Sequence, residues 1–381
     1  MKILHLCLAS FYIDNASYQE NLLPRYHKRL GYEVEILASP DVFDVNGKLI
    51  ISEAPRCYFN EDGIKVRRLR YVHNLVDHKL KRFKGVYESL KEFEPDVLFI
   101  HGCQFLDMFS VVRYLKNNSA KVFVDNHADF SNSGRSFISK YLLHRVVWRA
   151  CAQAILPFVE RFYGVLPSRV DFLSSEYKVP LDKIELLLMG ADDDCLSFPR
   201  SIIDRLRARF SLSSDAFLIV TGGKIDNAKL EVLELMRAVA EFEGRVKLIV
   251  FGSVLPEIKD KFDCLLNEHV IYAGWVTPEE SFHFFELADL VVFPGRHSVF
   301  WEQVVAQKKP MLVKYWPGSA HIDLGGNVIF LERSDFKEIK GCLENILEDA
   351  CFFSKMKASA RSDESEKFLY SNIARQSLGL K

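Results

Sequence analysis

The sequence predicts an α/β protein built from two parallel-sheet domains that face each other across a cleft. Three observations predict it. The chain has 381 residues, which at roughly 150 residues per domain is enough for two cores. Short apolar runs alternate with helical patterns along nearly its whole length, as repeated strand–helix units require. That alternation breaks once, at residues 186–199 (LLLMGADDDCLSFP), and then restarts.

Taken in order, the first half offers strands at 2–7, 33–38, 97–101, 121–126 and 154–157, with helices at 18–30, 83–93, 106–117 and 137–150. Gly31 is placed to cap the first helix at its C-terminus. Parallel strands need crossovers, and these helices have the required length. Beyond the interruption come strands at 217–222, 246–251, 270–273, 290–293 and 310–313 and helices at 229–242, 278–288 and 300–307. The expected organisation is one domain over 1–197, a second over 198–358, and a C-terminal segment, 359–381, that packs back on the first domain. Open α/β sheets bind ligands outside the carboxyl ends of their strands, so the cleft between two such edges is the expected site.

Composition excludes several classes. Fifty basic residues against 51 acidic ones leave a net charge of −1, which does not suit a polybasic nucleic-acid binder. Apolar residues at 49% and charged residues at 27% describe an ordinary globular chain. No apolar run reaches the length of a membrane-spanning helix. The eight cysteines are scattered without a C-x-x-C pair, which reads as buried thiols in a reducing, cytoplasmic setting.

Two segments of the second half carry the chemistry. In Val220-Thr-Gly-Gly-Lys-Ile-Asp-Asn-Ala-Lys229 a strand ends at Gly222 and Gly223, and Lys224 and Lys229 bracket the turn into a helix. Glycines admit a phosphate close to the backbone, and two ammonium groups can neutralise a diphosphate. The Walker pattern G-x-x-x-x-G-K-[ST] is absent. In the second segment, 293–307, a strand runs into Pro294-Gly295. The loop holding His297, Ser298 and Val299 can offer amides to phosphate oxygens, and Glu302 can accept from a ribose diol. In the first half, Phe123-Val-Asp-Asn-His-Ala-Asp129 ends a strand in a polar cluster containing His127 and Asp129, and His101 ends the strand before it. Gln19, Glu20 and Asn21 open the first helix. Asp192-Asp193-Asp194 falls in the interruption and reads as a solvated turn, so no dedicated metal site is expected. Residues 135–149 (RSFISKYLLHRVVWR) mix basic and apolar side chains; they suit a crossover helix with one buried face better than an anionic membrane surface.

With these residues in place, the whole chain resembles glycosyltransferases of the GT-B fold, close to glycosyltransferase family 4 and its bacterial surface-polysaccharide members. Gly223-Lys224 and Lys229 keep the spacing of that family's Gly-Arg-x-x-x-x-Lys element, with Lys for Arg. Glu302, or Gln303 beside it, falls at the second Glu of the family's Glu-x7-Glu motif, and Pro310-Met-Leu-Val matches the turn that follows. The first Glu of that motif has no counterpart, since Gly295 or Arg296 stands in its place. The resemblance implies two Rossmann-like domains, 1–197 binding the acceptor and 198–358 the nucleotide sugar, and sugar transfer from a nucleotide-diphosphate donor to a hydroxyl of a glycan or lipid-linked acceptor. The reaction would retain anomeric configuration, need no metal or other cofactor, and serve surface polysaccharide synthesis at or near the cytoplasmic membrane face. Lys224 and Lys229 would stabilise the leaving diphosphate, Gly222, Gly223, His297, Ser298, Val299 and Glu302 would hold the donor, and His127 would line the reaction centre. His101, Asp129 and Gln19 fall on the acceptor side. Two alternatives stay open on the same residues: a non-catalytic glycan-binding relative, and a nucleotide-sugar epimerase of the same fold.

Overall fold

The computed structural model describes residues 1–9, 11–43, 48–51, 56–72, 75–130, 133, 138–213, 215–242 and 244–380, with only the backbone at 75–77 and 138–139. The described chain divides into two compact units, Met1–Leu188 together with Tyr370–Lys381, and Met189–Leu369. The sequence alone puts these limits at 197/198 and 358/359. Residues 189–197 group with the second unit because Ala191 donates its N–H to the Phe368 carbonyl at 2.8 Å and bridges Leu369.

The strands of the first unit are β1 (Lys2–Cys7), β2 (Glu33–Ala38), β3 (Asp41–Phe43), β4 (Leu49–Ile51), β5 (Arg56–Phe59), β6 (Lys65–Arg68), β7 (Val97–His101), β8 (Lys121–Asn126), β9 (Val159–Gly164) and β10 (Ile184–Leu186). Eight form one sheet in the order β10-β9-β8-β7-β1-β2-β6-β5, parallel except for β5 at the edge, while β3 and β4 pair as a separate hairpin. Residues 154–157 are not a strand: the helix Arg149–Ile155 and a tight turn through Phe158 occupy them, and β9 begins at Val159. The run is apolar because this helix end is buried, Ile155 fully.

Both faces of the sheet are covered. Alternation along β1 sends Leu4 and Leu6 into one core and Ile3 and Cys7 into the other. The second core is closed by the helices Gln19–Arg29 and Tyr370–Ser377, through Leu22, Leu23 and Tyr26 of one and Tyr370, Ile373 and Ala374 of the other. The first of these helices ends in a Schellman motif. Gly31 takes a left-handed φ of 88° and donates to the Lys28 carbonyl at 2.9 Å, while Tyr32 donates to that of His27.

The second unit holds β11 (Phe217–Gly222), β12 (Val246–Phe251), β13 (Val270–Gly274), β14 (Leu290–Phe293), β15 (Met311–Lys314) and β16 (Val328–Leu331), all parallel, in the order β13-β12-β11-β14-β15-β16. One face packs on the helices Glu231–Ala240, Phe336–Glu348 and Ala350–Ala360. The other carries an aromatic cluster in which Phe251, Phe285, Phe293 and Phe300 meet edge to face, tilted or stacked. The helix Pro278–Leu287 starts at a capping box, Thr277 and Glu280 each bonding the other's backbone N–H. Among the described residues no helix is long and apolar enough to cross a membrane.

Candidate functional site

In the second sheet the chain leaves β11 toward β12 and β13 on one side and returns to β14, β15 and β16 on the other. Open α/β sheets have their binding crevice at such a reversal, here at the carboxyl ends of the adjacent strands β11 and β14. The two sequence segments singled out for diphosphate binding leave from those two strand ends.

At the end of β11 there is no room for a side chain. A Cβ on Gly222 would lie 2.3 Å from the Phe251 ring. Gly223 donates to the Phe251 carbonyl at 3.1 Å, and Ile225 to that of Ser253 at 2.7 Å, so the turn is tied to the end of β12. The Asp226 carbonyl accepts from Lys229 N–H at 2.9 Å and its carboxylate from Ala228 N–H at 3.0 Å. This turn swings Lys229 back over the crevice. A Cβ on Gly295 would touch Lys229 Cα and Cγ at 3.2 Å, and one on Gly223 would lie 3.6 Å from its Nζ. The Lys229 ammonium forms no ion pair or hydrogen bond among the described residues. Burial lowers its pKa, Asp226 works against that, and Arg296 adds to it. Lys224, on the same turn, is exposed and makes no such contact with the β14 loop.

From β14 the loop Pro294–Ser298 leads into the helix Phe300–Ala306. The backbone N–H groups of His297, Ser298 and Val299 donate to no other group among the described residues. Glu302 is wholly buried, and one oxygen of its carboxylate, Oε1, lies 2.9 Å from His297 Nε2 and 2.8 Å from His321 Nε2. Its other oxygen, Oε2, has no partner. The carboxylate expected to face a ribose diol is thus turned to two imidazoles. His321 Nδ1 also meets the Gly318 carbonyl at 3.2 Å, so an imidazolium satisfies both of its contacts. Burial raises the Glu302 pKa, but the charges and N–H groups of His297 and His321 outweigh it and bring it down to about 2. Nitrogen and oxygen ligand atoms of these three residues lie within 4.8 Å of one another, yet both contacts to Oε1 have hydrogen-bond lengths, which the protons of the imidazoles account for. His321 is not among the site residues expected from the sequence, although it lies in the stretch WPGSAHIDLGGN at 316–327. Its only signal was a histidine in the glycine-rich stretch after β15.

Glu302→Gln tests this assignment. A carboxyl held below its ordinary range stabilises the fold above that range and loses the contribution as pH falls toward 2, here about 3 kcal/mol at most. The wild type should therefore lose melting temperature more steeply between pH 5 and pH 3 than Glu302→Gln does. Parallel slopes would show that the carboxylate is not held by the imidazoles.

In the first unit, His101 and Asp125 are register partners on β7 and β8, both wholly buried, with His101 Nδ1 2.8 Å from Asp125 Oδ2. His127, two residues further, keeps 30% of its side chain exposed and places Nε2 3.5 Å from the same oxygen. Burial raises the Asp125 pKa, but His101 and His127 hold it well below the carboxylate range; burial lowers that of His127, but Asp125 raises it overall. Gln19 is buried and directs Nε2 at Asp125 Oδ2, 3.4 Å away. Glu20 and Asn21 are buried beside it, so this helix does not open on a solvated turn. Asp129 is buried and lies 3.4 Å from Arg169. Of the expected acceptor-side residues, His101 lies inside the fold with both ring nitrogens engaged, and His127 remains the one that reaches solvent.

Two further expectations are met in part, since Asp194 is exposed on its turn and the segment after 138 is a helix with one buried face. Asp192 is buried and caps a short turn over Asp193–Leu196 by accepting from Asp194 N–H at 3.3 Å, rather than lying in a solvated run. Of residues 135–149, 135–137 lie outside the described residues. Ile138–Trp148 is a wide π-type helix that buries His144 and Trp148 and exposes Tyr141, Leu142 and Val146.

Two mostly parallel sheets, each reversing its strand order beside the first strand, define the GT-B fold of glycosyltransferases. No family model matches the chain. Among curated proteins it is similar to mannosylfructose-phosphate synthase of Agrobacterium fabrum, 21% identical over 252 residues that make up 62% of this chain and 54% of the relative. The match thus spans about half of that relative's length. Among solved structures, sucrose-phosphate synthase from Thermosynechococcus elongatus matches with a TM-score of 0.68 at 14% identity, over 100% of this chain and 98% of that one. HepE of Anabaena in complex with UDP matches with 0.67 at 13% identity, over 99% and 98%.

Proposed function

We propose that the protein is a glycosyltransferase that moves a sugar from a nucleotide-diphosphate donor to a hydroxyl of a glycan or lipid-linked acceptor, with retention and without a metal, in surface polysaccharide synthesis. The observation that carries the proposal is the half-buried Lys229 ammonium, without an ion pair or hydrogen bond among the described residues and set over the glycine-lined crevice between β11 and β14. A cation withdrawn from water without a partner is costly, and a diphosphate is the partner that such a crevice admits. HepE, which shares the fold, is described with UDP bound.

In the reaction the bond between the sugar's anomeric carbon and the diphosphate oxygen breaks, and the acceptor oxygen bonds to that carbon. The acceptor's proton passes to the departing diphosphate. Negative charge grows on the diphosphate, where Lys229, the free amides of residues 297–299 and the imidazoles held by Glu302 oppose it. Preorganised charge of this kind usually contributes most to catalysis. Lys224, exposed on the same turn, assists from solvent. On the ribose, only the unpartnered Oε2 of Glu302 is left to accept from a hydroxyl. His127 serves the acceptor side, with Asp125 behind it and Gln19 and Asp129 beside it. The roles of Gly222 and Gly223 are steric: Gly222 makes room for the Phe251 ring, and Gly223 lets the diphosphate approach the backbone.

A panel of UDP-, GDP- and ADP-sugars tests the reading. Titrated calorimetrically into the purified protein, at least one should bind, and with a suitable acceptor its sugar should appear in product with the anomeric configuration kept. An inverted or epimerised sugar released without acceptor would replace transfer by epimerisation. Binding of none would overturn the proposal.

A further inference from the structure

One line of hydrogen bonds crosses the interior of the first unit from the strand-end carboxylate to the C-terminal helix. Asp125 Oδ2 lies 2.8 Å from His101 Nδ1, and His101 Nε2 lies 3.0 Å from His5 Nδ1. His5 Nε2 lies 3.0 Å from His27 Nδ1, and His27 Nε2 lies 2.9 Å from Ser377 Oγ and 3.2 Å from the Ala374 carbonyl. Asp125, the three histidines and Ser377 are all fully buried. The strand alternation accounts for the line. His5 shares the face of β1 with Ile3 and Cys7, beneath the helices Gln19–Arg29 and Tyr370–Ser377, and His101 is two residues beyond Phe99, the register partner of His5.

A neutral imidazole has one donor nitrogen and one acceptor nitrogen, so the direction chosen at one end of such a chain propagates to the other. At the helix end the Ser377 hydroxyl donates to the Ala374 carbonyl at 2.9 Å. Ser377 Oγ is then left as an acceptor, and His27 Nε2, in reach of two oxygens, must donate. His27 Nδ1 therefore accepts from His5 Nε2, and His5 Nδ1 accepts from His101 Nε2. Because His101 Nδ1 faces a carboxylate, it must donate as well. Followed outward, the chain leaves a proton on both nitrogens of His101, against Asp125. Burial holds the pKa of His5 well below its ordinary value and that of His27 at about 3, the neighbouring rings adding to this and the Ala374 carbonyl opposing it for His27. Neither ring competes for the extra proton. The other groups around the line are Gln19 and His127 at Asp125, the buried Cys7 and Glu20, and the Phe99 ring, which lies 5.4 Å from His5 and 5.0 Å from His101.

We propose that His5 and His27 are positioning residues for the acceptor-side centre: running out to the C-terminal helix, they keep His101 as an imidazolium, which holds the Asp125 carboxylate that faces His127. The proposal rests on the assignment of His127 to the acceptor side. It makes docking of a helix 350 residues along the chain from His27 a condition for the charge state of that centre.

Imidazole nitrogen-15 NMR on the full-length, histidine-labelled protein near neutral pH tests it. The wild type should show one buried ring protonated on both nitrogens, assigned to His101, and two neutral rings carrying the proton on Nε2. Ser377→Ala should keep this pattern, because the Ala374 carbonyl still accepts. His27→Phe takes away the acceptor for His5, and His101 should become neutral with its proton on Nδ1. Transfer should then fall roughly tenfold or more, and His27→Gln, whose amide oxygen can accept again, should recover part of both losses. Three neutral rings in the wild type would overturn the proposal whether or not His27→Phe folds. So would an unchanged rate in a folded His27→Phe whose imidazolium is lost. The expected pattern in a protein that transfers no sugar would leave the chain standing and sink the functional reading instead.

Discussion

Lys229→Ala should lower the rate of sugar transfer by roughly 10²-fold or more, the scale of losing one preorganised group from charge developing in a transition state. The side chain packs along Gly295, and its ammonium sits above Gly223 without a hydrogen bond or ion pair among the described residues. Removing it therefore breaks no such bond, and the variant should keep its melting temperature within about 1 kcal/mol of stability. The loss should fall on kcat as well as on donor KM, because charge on the diphosphate grows as the glycosidic bond breaks. The lowered Lys229 pKa adds a pH signature. In the free enzyme the cation is lost at lower pH than for an ordinary lysine, so kcat/KM should decline on an alkaline limb below the usual lysine range. That limb should vanish in Lys229→Ala. Steady-state kinetics across pH decide it, and an unchanged kcat/KM in the folded variant would remove Lys229 from the site.

Gly252→Ala should cost about 3 kcal/mol of stability or more and abolish donor binding even where the protein remains folded. Gly252 follows β12 with φ at 110°, and a Cβ there would lie 2.0 Å from the Gly223 carbonyl oxygen and 2.7 Å from its carbon. The obstacle is backbone, so the Gly222–Gly223 turn would have to move, carrying the floor of the crevice with it. Gly325→Ala is the control, because φ is also positive at 91° but nothing lies within 4 Å of the new Cβ. It should show backbone strain alone, about 1 kcal/mol. Thermal melts and nucleotide titrations on both variants check this. Equal effects from the two would mean that the contact beneath Gly223 does not shape the site.

Much of the fold was legible because parallel strands buried on both faces are short unbroken apolar runs. β1, β2, β7, β8, β11, β12 and β14 lie on the residues that pattern indicated. The same signal failed at 154–157, where the buried end of a helix is as apolar as a strand. β5, written Arg56-Cys-Tyr-Phe at the edge of the sheet, and β6, written Lys65-Val-Arg-Arg beside it, carry too much charge to be read as strands. In the site, the glycine and lysine residues were visible by spacing along one segment. His321 and Gly252 were not, because each acts through a neighbour distant in sequence: His321 on Glu302, Gly252 on Gly223. The polar line His5–His27–His101 was hidden for a similar reason. Each histidine stands singly in its own segment, and only the register of β1 and β7 and the helix laid over them bring the three together.

A crystal structure of the protein soaked in turn with UDP, GDP and ADP tests the central claim most directly. The account predicts that a bound nucleotide lays its diphosphate at the carboxyl ends of β11 and β14, against Gly223 and the loop after Gly295, within hydrogen-bond distance of Lys229 Nζ. A diphosphate bound elsewhere, with Lys229 still unpartnered over an empty crevice, would contradict it.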